Sequence, residues 1–349
     1  MSKNYKKILV LFLIWRASLL VLGCISSSTL PDNAYAVAHL QQKIHPLLNI
    51  WVKWDSVWFY EIIKSGYVRE GLTAFFPLYP VSVRLMSKLL FFIHPVLVGL
   101  GLSNLFLLGA LFVFYKLLQL DYDREFSQRA IFYLLIFPTS LFYTLIYSEG
   151  LFLLLSISTF YFARTRRWVW CGVLGFLATL TRPVGILLLA PLLLEFLISK
   201  RKTGGFALFL IPLGPVSYMV YLGKKFSDPL LFLHVQKEWG RFSPDWFSSI
   251  LNSLNPIKLL FFLGFVVSSL VVYKRVRKSY GVYIFLNLLP ALASGSFMSI
   301  NRHFAVLFPF YIFLSHMGKN RLLDRSIALV SILFLAYTTI LYVSGYWVG

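Results

Sequence analysis

Asp55 stands between Trp54 and Ser56 in the run WVKWDSVWFYEIIKSGY, with Trp51 and Trp58 close by in sequence. A carboxylate partly shielded from water by indole rings suits one task well: taking the proton of an alcohol while that alcohol attacks an electrophile. An aspartate at the start of a helix has a plainer use, capping backbone N–H groups, and the sequence permits both. Four further ionisable residues fall in three short segments that are otherwise apolar. They are Glu149 in TLIYSEGLF, Arg182 in TLTRPVG, and the pair Arg302 and His303 in FMSINRHFAV. Arginine offers a planar, permanently charged fork that matches phosphate oxygens, and His303 adds a second donor or a proton carrier. Here too there are plainer uses: Glu149 as an exposed turn residue facing a helix dipole, and the arginines as lipid headgroup contacts. The remaining acidic residues invite less chemistry. Asp121, Asp123, Glu125 and Asp324 lie among basic residues and read as solvated turn charges. Glu195 lies near Lys200 and Arg201 and reads as one half of a snorkelling pair.

The elements that must position these groups are membrane helices. Of the 349 residues, 58% are hydrophobic and 13% charged, about half the charge of an average soluble domain. Apolar stretches long enough, or nearly so, to cross a bilayer occur at about 8–25, 95–118, 129–147, 150–163, 168–181, 184–199, 205–222, 257–273, 280–298, 303–317 and 326–346. The basic residues test this map. With the N-terminus cytoplasmic, every inner turn carries at least three Lys or Arg. Together these turns hold more than half of the 33 in the chain, whereas the short outer turns hold almost none. The net charge of +20 therefore reads as topology and attraction to anionic lipid, and not as a nucleic-acid surface. Two cysteines, Cys24 and Cys171, supply neither a disulfide framework nor metal-ligand spacing. The N-terminal run MSKNYKKILVLFLIWRASLLVLGC reads as a first membrane helix rather than a cleaved signal.

Two outer segments are long, 26–94 and 223–256. In the first, Trp54, Trp58 and Ile62 recur at helical spacing, which predicts an amphipathic helix lying in the interface and ending at Gly66. A Pro-broken turn and a second amphipathic stretch follow it. The expectation is an all-α membrane protein: a polytopic bundle of about eleven transmembrane helices forming one integral membrane domain over 1–349.

The motifs WDSVWFYEIIKSGY, AFFPLYP, LIYSEGLFLLLS, LGFLATLTRPVGILLLAPLLLE and NRHFAVLFPFYIFL, in that order over about 50–315, resemble the PIG-V group. These are the GPI mannosyltransferase 2 proteins and their prokaryotic relatives. The resemblance implies the GT-C fold of membrane glycosyltransferases, with the catalytic acid in the first extracytoplasmic loop, where the topology above also puts Asp55. It implies that Asp55, at the family's Trp-Asp position, is the catalytic base. It further implies that Trp54, Tyr147, Ser148 and Glu149 line the site; Arg182 matches its Thr-Arg-Pro motif and Arg302 and His303 its late Arg-aromatic motif, and the chemistry of these three side chains makes them the expected holders of the donor phosphate. His303 stands where the family pattern has an aromatic residue. The compact length is similar to that of prokaryotic members, which implies a bacterial or archaeal plasma membrane.

The expected function is transfer of a hexose, with mannose the leading candidate, from a polyprenyl-phosphate-linked donor to an acceptor hydroxyl on a lipid or glycan at the extracytoplasmic face. No cofactor or metal is required by that scheme. A transporter or flippase of a lipid-linked sugar would use the same arginines, but it needs polar groups near the midplane or on both halves of the bilayer. The unusual charges here gather on one face. A non-catalytic subunit of a glycosyltransferase complex, or an enzyme with an accessory membrane subunit, is the remaining alternative. His234, Glu238 and Arg241 in the second long segment read as an ordinary solvated loop.

Overall fold

A computed structural model describes residues 3–39, 44–200, 203–242, 245–253 and 255–348. Arg201 and Lys202 of one basic turn, and Ser243 and Pro244 of the second long segment, lie outside the described residues. The described residues are helical throughout, with no strand among them, and helices stand at all eleven of the expected apolar stretches. Five are long and apolar enough to cross a membrane: Asn4–Thr29, Pro95–Leu118, Gly205–Phe226, which opens with a 3-10 turn, Pro256–Arg275 and Arg321–Val343. The others are shorter or interrupted. The stretch at 129–147 breaks after helix Arg124–Ile136, ahead of Pro138, because a proline cannot continue the hydrogen-bond ladder. The long helices turn large apolar side chains outward, such as Val10, Leu13, Ile14 and Val21, or Leu260, Leu263 and Leu270. A soluble monomer does not expose apolar faces on this scale, whereas lipid accepts them. The protein is a polytopic all-α membrane protein.

The chain divides into two compact units. The first comprises Met1–Gly66, Tyr79–Leu154 and Leu314–Gly349. In it, helix Lys3–Thr29 packs on Arg321–Val343, Arg124–Ile136 and Pro95–Leu118. Gly23 makes room for Trp51, since a Cβ there would lie 2.4 Å from the indole ring. The amphipathic helix runs Asp55–Ser65 and ends at Gly66, whose φ of 76° places it in the left-handed region that glycine tolerates. A second amphipathic helix, Leu78–Leu89, buries Tyr79 and Val83. It leaves Val81, Leu85 and Leu89, four residues apart, exposed, as an interfacial helix would.

The second unit comprises Tyr67–Leu78 and Leu155–Phe313. Helix Pro256–Arg275 packs against Lys278–Ala293, and Trp168–Thr181 packs against the 3-10 turns Pro183–Leu188 and Gly205–Leu210. Gly172 permits the last contact, because a Cβ there would overlap the Ala207 carbonyl. Glu195 is buried, and its partner differs from the expected one. Arg277, rather than Lys200, grips the carboxylate with both Nε and Nη2, the latter at 2.7 Å from Oε2, and Ser279 donates a further hydrogen bond; Arg201, the other expected partner, lies outside the described residues. A guanidinium fork on the adjacent helix satisfies two carboxylate oxygens at once, which a flexible lysine does not.

Candidate active site

The Trp-Asp motif of the first unit folds into a tight turn. The Ser56 N–H donates to the Lys53 carbonyl at 3.2 Å, and Trp54 has φ 55° and ψ −125°. These are the values of the first central position of a type II′ turn, a place normally held by glycine. A tryptophan there stores strain of about 1–3 kcal/mol, which the surroundings must offset. The indole of Trp54 stacks on Tyr35, centroids 5.8 Å apart, and meets the edge of Trp347 at 5.2 Å. Asp55 stands one residue inside the helix, not at the cap position. Trp54 holds the cap position without a side-chain cap bond, and Asp55 is the first residue of the helix, half-buried.

Two buried tyrosines clamp this turn. Tyr147 accepts the Asp55 N–H at 3.2 Å and donates to the Lys53 carbonyl at 3.4 Å. Tyr342, from helix Arg321–Val343, accepts the Lys53 N–H at 3.2 Å and donates to the Lys53 carbonyl at 2.9 Å. Its hydroxyl also lies 3.3 Å from Ser56 Oγ. Phe142 packs against both rings, at 5.1 Å from Tyr147 and 5.7 Å from Tyr342. Tyr342 escapes a reading of the sequence because a tyrosine in an apolar helix, nearly 300 residues from the motif, carries no local signal.

Lys53 is a second residue that spacing alone does not reveal. Its side chain is buried and its Nζ lies 4.0 Å from Asp32 Oδ2. Burial pushes the Lys53 ammonium below its ordinary range, and the charge of Asp32 opposes that shift in part.

Ser148 and Glu149 are buried as well, so Glu149 is not the exposed turn residue that the sequence allows. Glu149 opens helix Glu149–Arg164. Next to it, Gly150 lies against two backbone carbonyls, where a Cβ would come within 2.8 Å of Tyr143 O and 3.1 Å of Ser103 O. Tyr79 braces the same wall, with its hydroxyl 2.8 Å from Ser103 Oγ. The first unit therefore brings Trp54, Asp55 and Tyr147 into one hydrogen-bonded and aromatic assembly, with Ser148 and Glu149 continuing the chain from Tyr147.

The second unit gathers the cations. Arg182 caps helix Trp168–Thr181 in an extended conformation, and the Gly185 N–H donates to its carbonyl at 2.9 Å. Gly185 lies so close to the helix that a Cβ would sit 2.8 Å from Ala178 backbone atoms, and the folded-back turn buries Arg182. Arg302, also buried, and His303 share the short helix Ile300–Ala305. The charges of Arg182, Arg302 and Arg241 all bear on the His303 ring. Arg182, Arg302 and His303 are thus together, and Arg241 joins them from the segment read as a solvated loop. That segment is pinned. The Arg241 Nη1 donates to Gln236 Oε1 at 2.7 Å, the Phe242 N–H to Ser294 O at 2.8 Å, and the Trp246 indole to Leu292 O at 2.6 Å. His234 of the same segment pairs instead with Asp228, 2.6 Å from its Oδ2, which holds the Asp228 carboxyl below its usual range. Guanidinium groups whose charges bear on one imidazole offer the kind of donors that a phosphate oxyanion takes. Among the described residues, no group of three or more His, Cys, Asp or Glu is placed to hold a metal ion.

A family model described as Mannosyltransferase (PIG-V) matches residues 5–198, more than half of the chain. The match takes in Trp54, Asp55, Tyr147, Ser148, Glu149 and Arg182, while Arg302, His303 and Tyr342 fall beyond it. No curated protein matches the chain.

Proposed function

The chain belongs to the mannosyltransferase (PIG-V) family, and on that premise we propose that this membrane glycosyltransferase moves a hexose, mannose first among them, from a polyprenyl-phosphate-linked donor to an acceptor hydroxyl. The acceptor O–H proton passes to the Asp55 carboxylate as the acceptor oxygen attacks the anomeric carbon. The bond from that carbon to the phosphate oxygen breaks, and polyprenyl phosphate leaves with the electron pair. In-line displacement inverts the anomeric carbon. Arg182 and Arg302, with His303 as a further donor, stabilise the negative charge growing on the phosphate. Trp54, Tyr147, Ser148 and Glu149 line the acceptor side.

The observation that carries this reading is the strained Trp-Asp turn, clamped by two buried tyrosines. Strain of this kind gathers where a side chain must be presented in one orientation, and here that side chain is a carboxylate at the start of an interfacial helix. The clustered basic residues support a cytoplasmic N-terminus and a site facing the extracytoplasmic side of the membrane. The acceptor is a lipid or glycan, and an accessory membrane subunit fits the same scheme.

The test is transfer of radiolabelled mannose from polyprenyl-phosphate mannose in membranes holding wild type or Asp55→Asn at matched expression. Wild type transfers label, and Asp55→Asn loses about a hundredfold or more, the scale of a general base. Equal transfer by both proteins removes Asp55 from the chemistry. No transfer by either moves the search to other donor sugars and then to a flippase.

A further inference from the structure

The turn that presents Asp55 depends on one backbone carbonyl. Lys53 O accepts the Ser56 N–H, closing the turn, and takes hydroxyl donors from both Tyr342 and Tyr147. The N–H groups at the two ends of the turn are held the same way, Lys53 by Tyr342 and Asp55 by Tyr147. Each phenol thus both donates to and accepts from the backbone of the turn, and the Tyr342 hydroxyl also lies 3.4 Å from the Trp51 carbonyl. Local sequence does not favour this conformation, because Trp54 occupies a glycine position. What holds it must come from elsewhere in the chain, and Tyr342 reaches it from a helix beyond the matched family region.

Building on the transferase reading above, we infer that Tyr342 is a positioning residue for Asp55: its hydroxyl fixes the Lys53–Ser56 turn, and with it the direction of the carboxylate toward the acceptor hydroxyl. Tyr342 touches no substrate. It acts through the backbone of the turn, so its loss leaves donor binding intact and moves the base out of line. A displacement of the order of 1 Å at a reacting group costs up to about a hundredfold in rate.

The experiment is a kinetic cycle in the radiolabelled mannose assay, with wild type, Tyr342→Phe, Asp55→Asn and the double variant purified in one detergent. Phenylalanine keeps the ring that packs on Phe142 and removes only the oxygen. The expected result for Tyr342→Phe is a kcat about ten- to a hundredfold lower with the donor KM within about twofold of wild type. In the Asp55→Asn background, Tyr342→Phe costs nothing more, because a group that acts through Asp55 has nothing left to position. Tyr342→Phe is expected to melt close to wild type, and a Tyr342→Phe protein that does not fold marks a structural tyrosine and overturns the inference. A Tyr342→Phe enzyme with wild-type kcat, beside a crippled Asp55→Asn, overturns the inference and leaves the transferase reading standing. A double variant whose loss is the product of the two single losses overturns it as well, since that is the mark of a purely structural tyrosine. If wild type transfers no label, or Asp55→Asn transfers normally, the reading underneath fails and takes the inference with it.

Discussion

Gly150→Ala tests how tightly the Glu149 turn is seated. The substitution adds one methyl group at the second position of helix Glu149–Arg164. That carbon would stand 2.8 Å from Tyr143 O and 3.1 Å from Ser103 O. Both obstacles are backbone carbonyls, which cannot rotate aside as a side-chain end can. The start of the helix must therefore back away by several tenths of an ångström, carrying Ser148 and Glu149 with it. Overpacking of this kind costs about 1–3 kcal/mol, against a gain of at most about 1 kcal/mol from replacing glycine in a helix. The net expectation is a loss of about 1–2 kcal/mol. Gly101 supplies the control. It lies in helix Pro95–Leu118 of the same unit, and a Cβ there meets nothing within 4 Å, so Gly101→Ala keeps the propensity gain without a clash. Thermal unfolding of the two variants and wild type in one detergent should give midpoints on opposite sides of wild type. Gly150→Ala should also transfer mannose more slowly, since the displaced turn carries two site residues. A Gly150→Ala midpoint at or above that of wild type would refute the close seating of the turn, and with it the claim that Glu149 is held rigidly.

Two further outcomes follow from the charged groups. Arg182→Lys keeps the charge and loses the planar fork, so the donor KM should rise about tenfold, one good charge-assisted contact, in the radiolabel assay; an unchanged KM would place Arg182 outside the phosphate site. Lys53 has a folded-state pKa below its ordinary value because burial disfavours the ammonium, so the unfolded chain holds more protons in the interval just below 10.5 and stability rises with pH there. Across that interval the unfolding midpoint of wild type should climb relative to Lys53→Met; parallel midpoints would mean that Lys53 stays fully solvated.

The sequence speaks about whatever depends on neighbours in the chain. Apolar length places a helix at every expected stretch, and the spacing of Trp54, Trp58 and Ile62 ended by Gly66 matches helix Asp55–Ser65 closely. That Arg182, and the adjacent pair Arg302 and His303, stand out from apolar surroundings is likewise a local fact. Long-range choice of partner is another matter. Glu195 has basic residues within seven positions, yet the fork of Arg277 wins because two helices lie side by side and the fork can satisfy both carboxylate oxygens. Arg241 looks solvated until its segment is seen tied to Leu292 and Ser294. The II′ turn at Trp54 is the clearest case, for residue preference argues against it and no glycine marks the place. The convergence of Tyr147 and Tyr342 on Lys53, together with the rings packed on Trp54, supplies what local preference does not. A conformation that local preference opposes and distant hydroxyls enforce is one that folding alone does not call for. It stands next to the residue proposed to take the acceptor's proton, and that coincidence ties the strain at Trp54 to the chemistry proposed for Asp55.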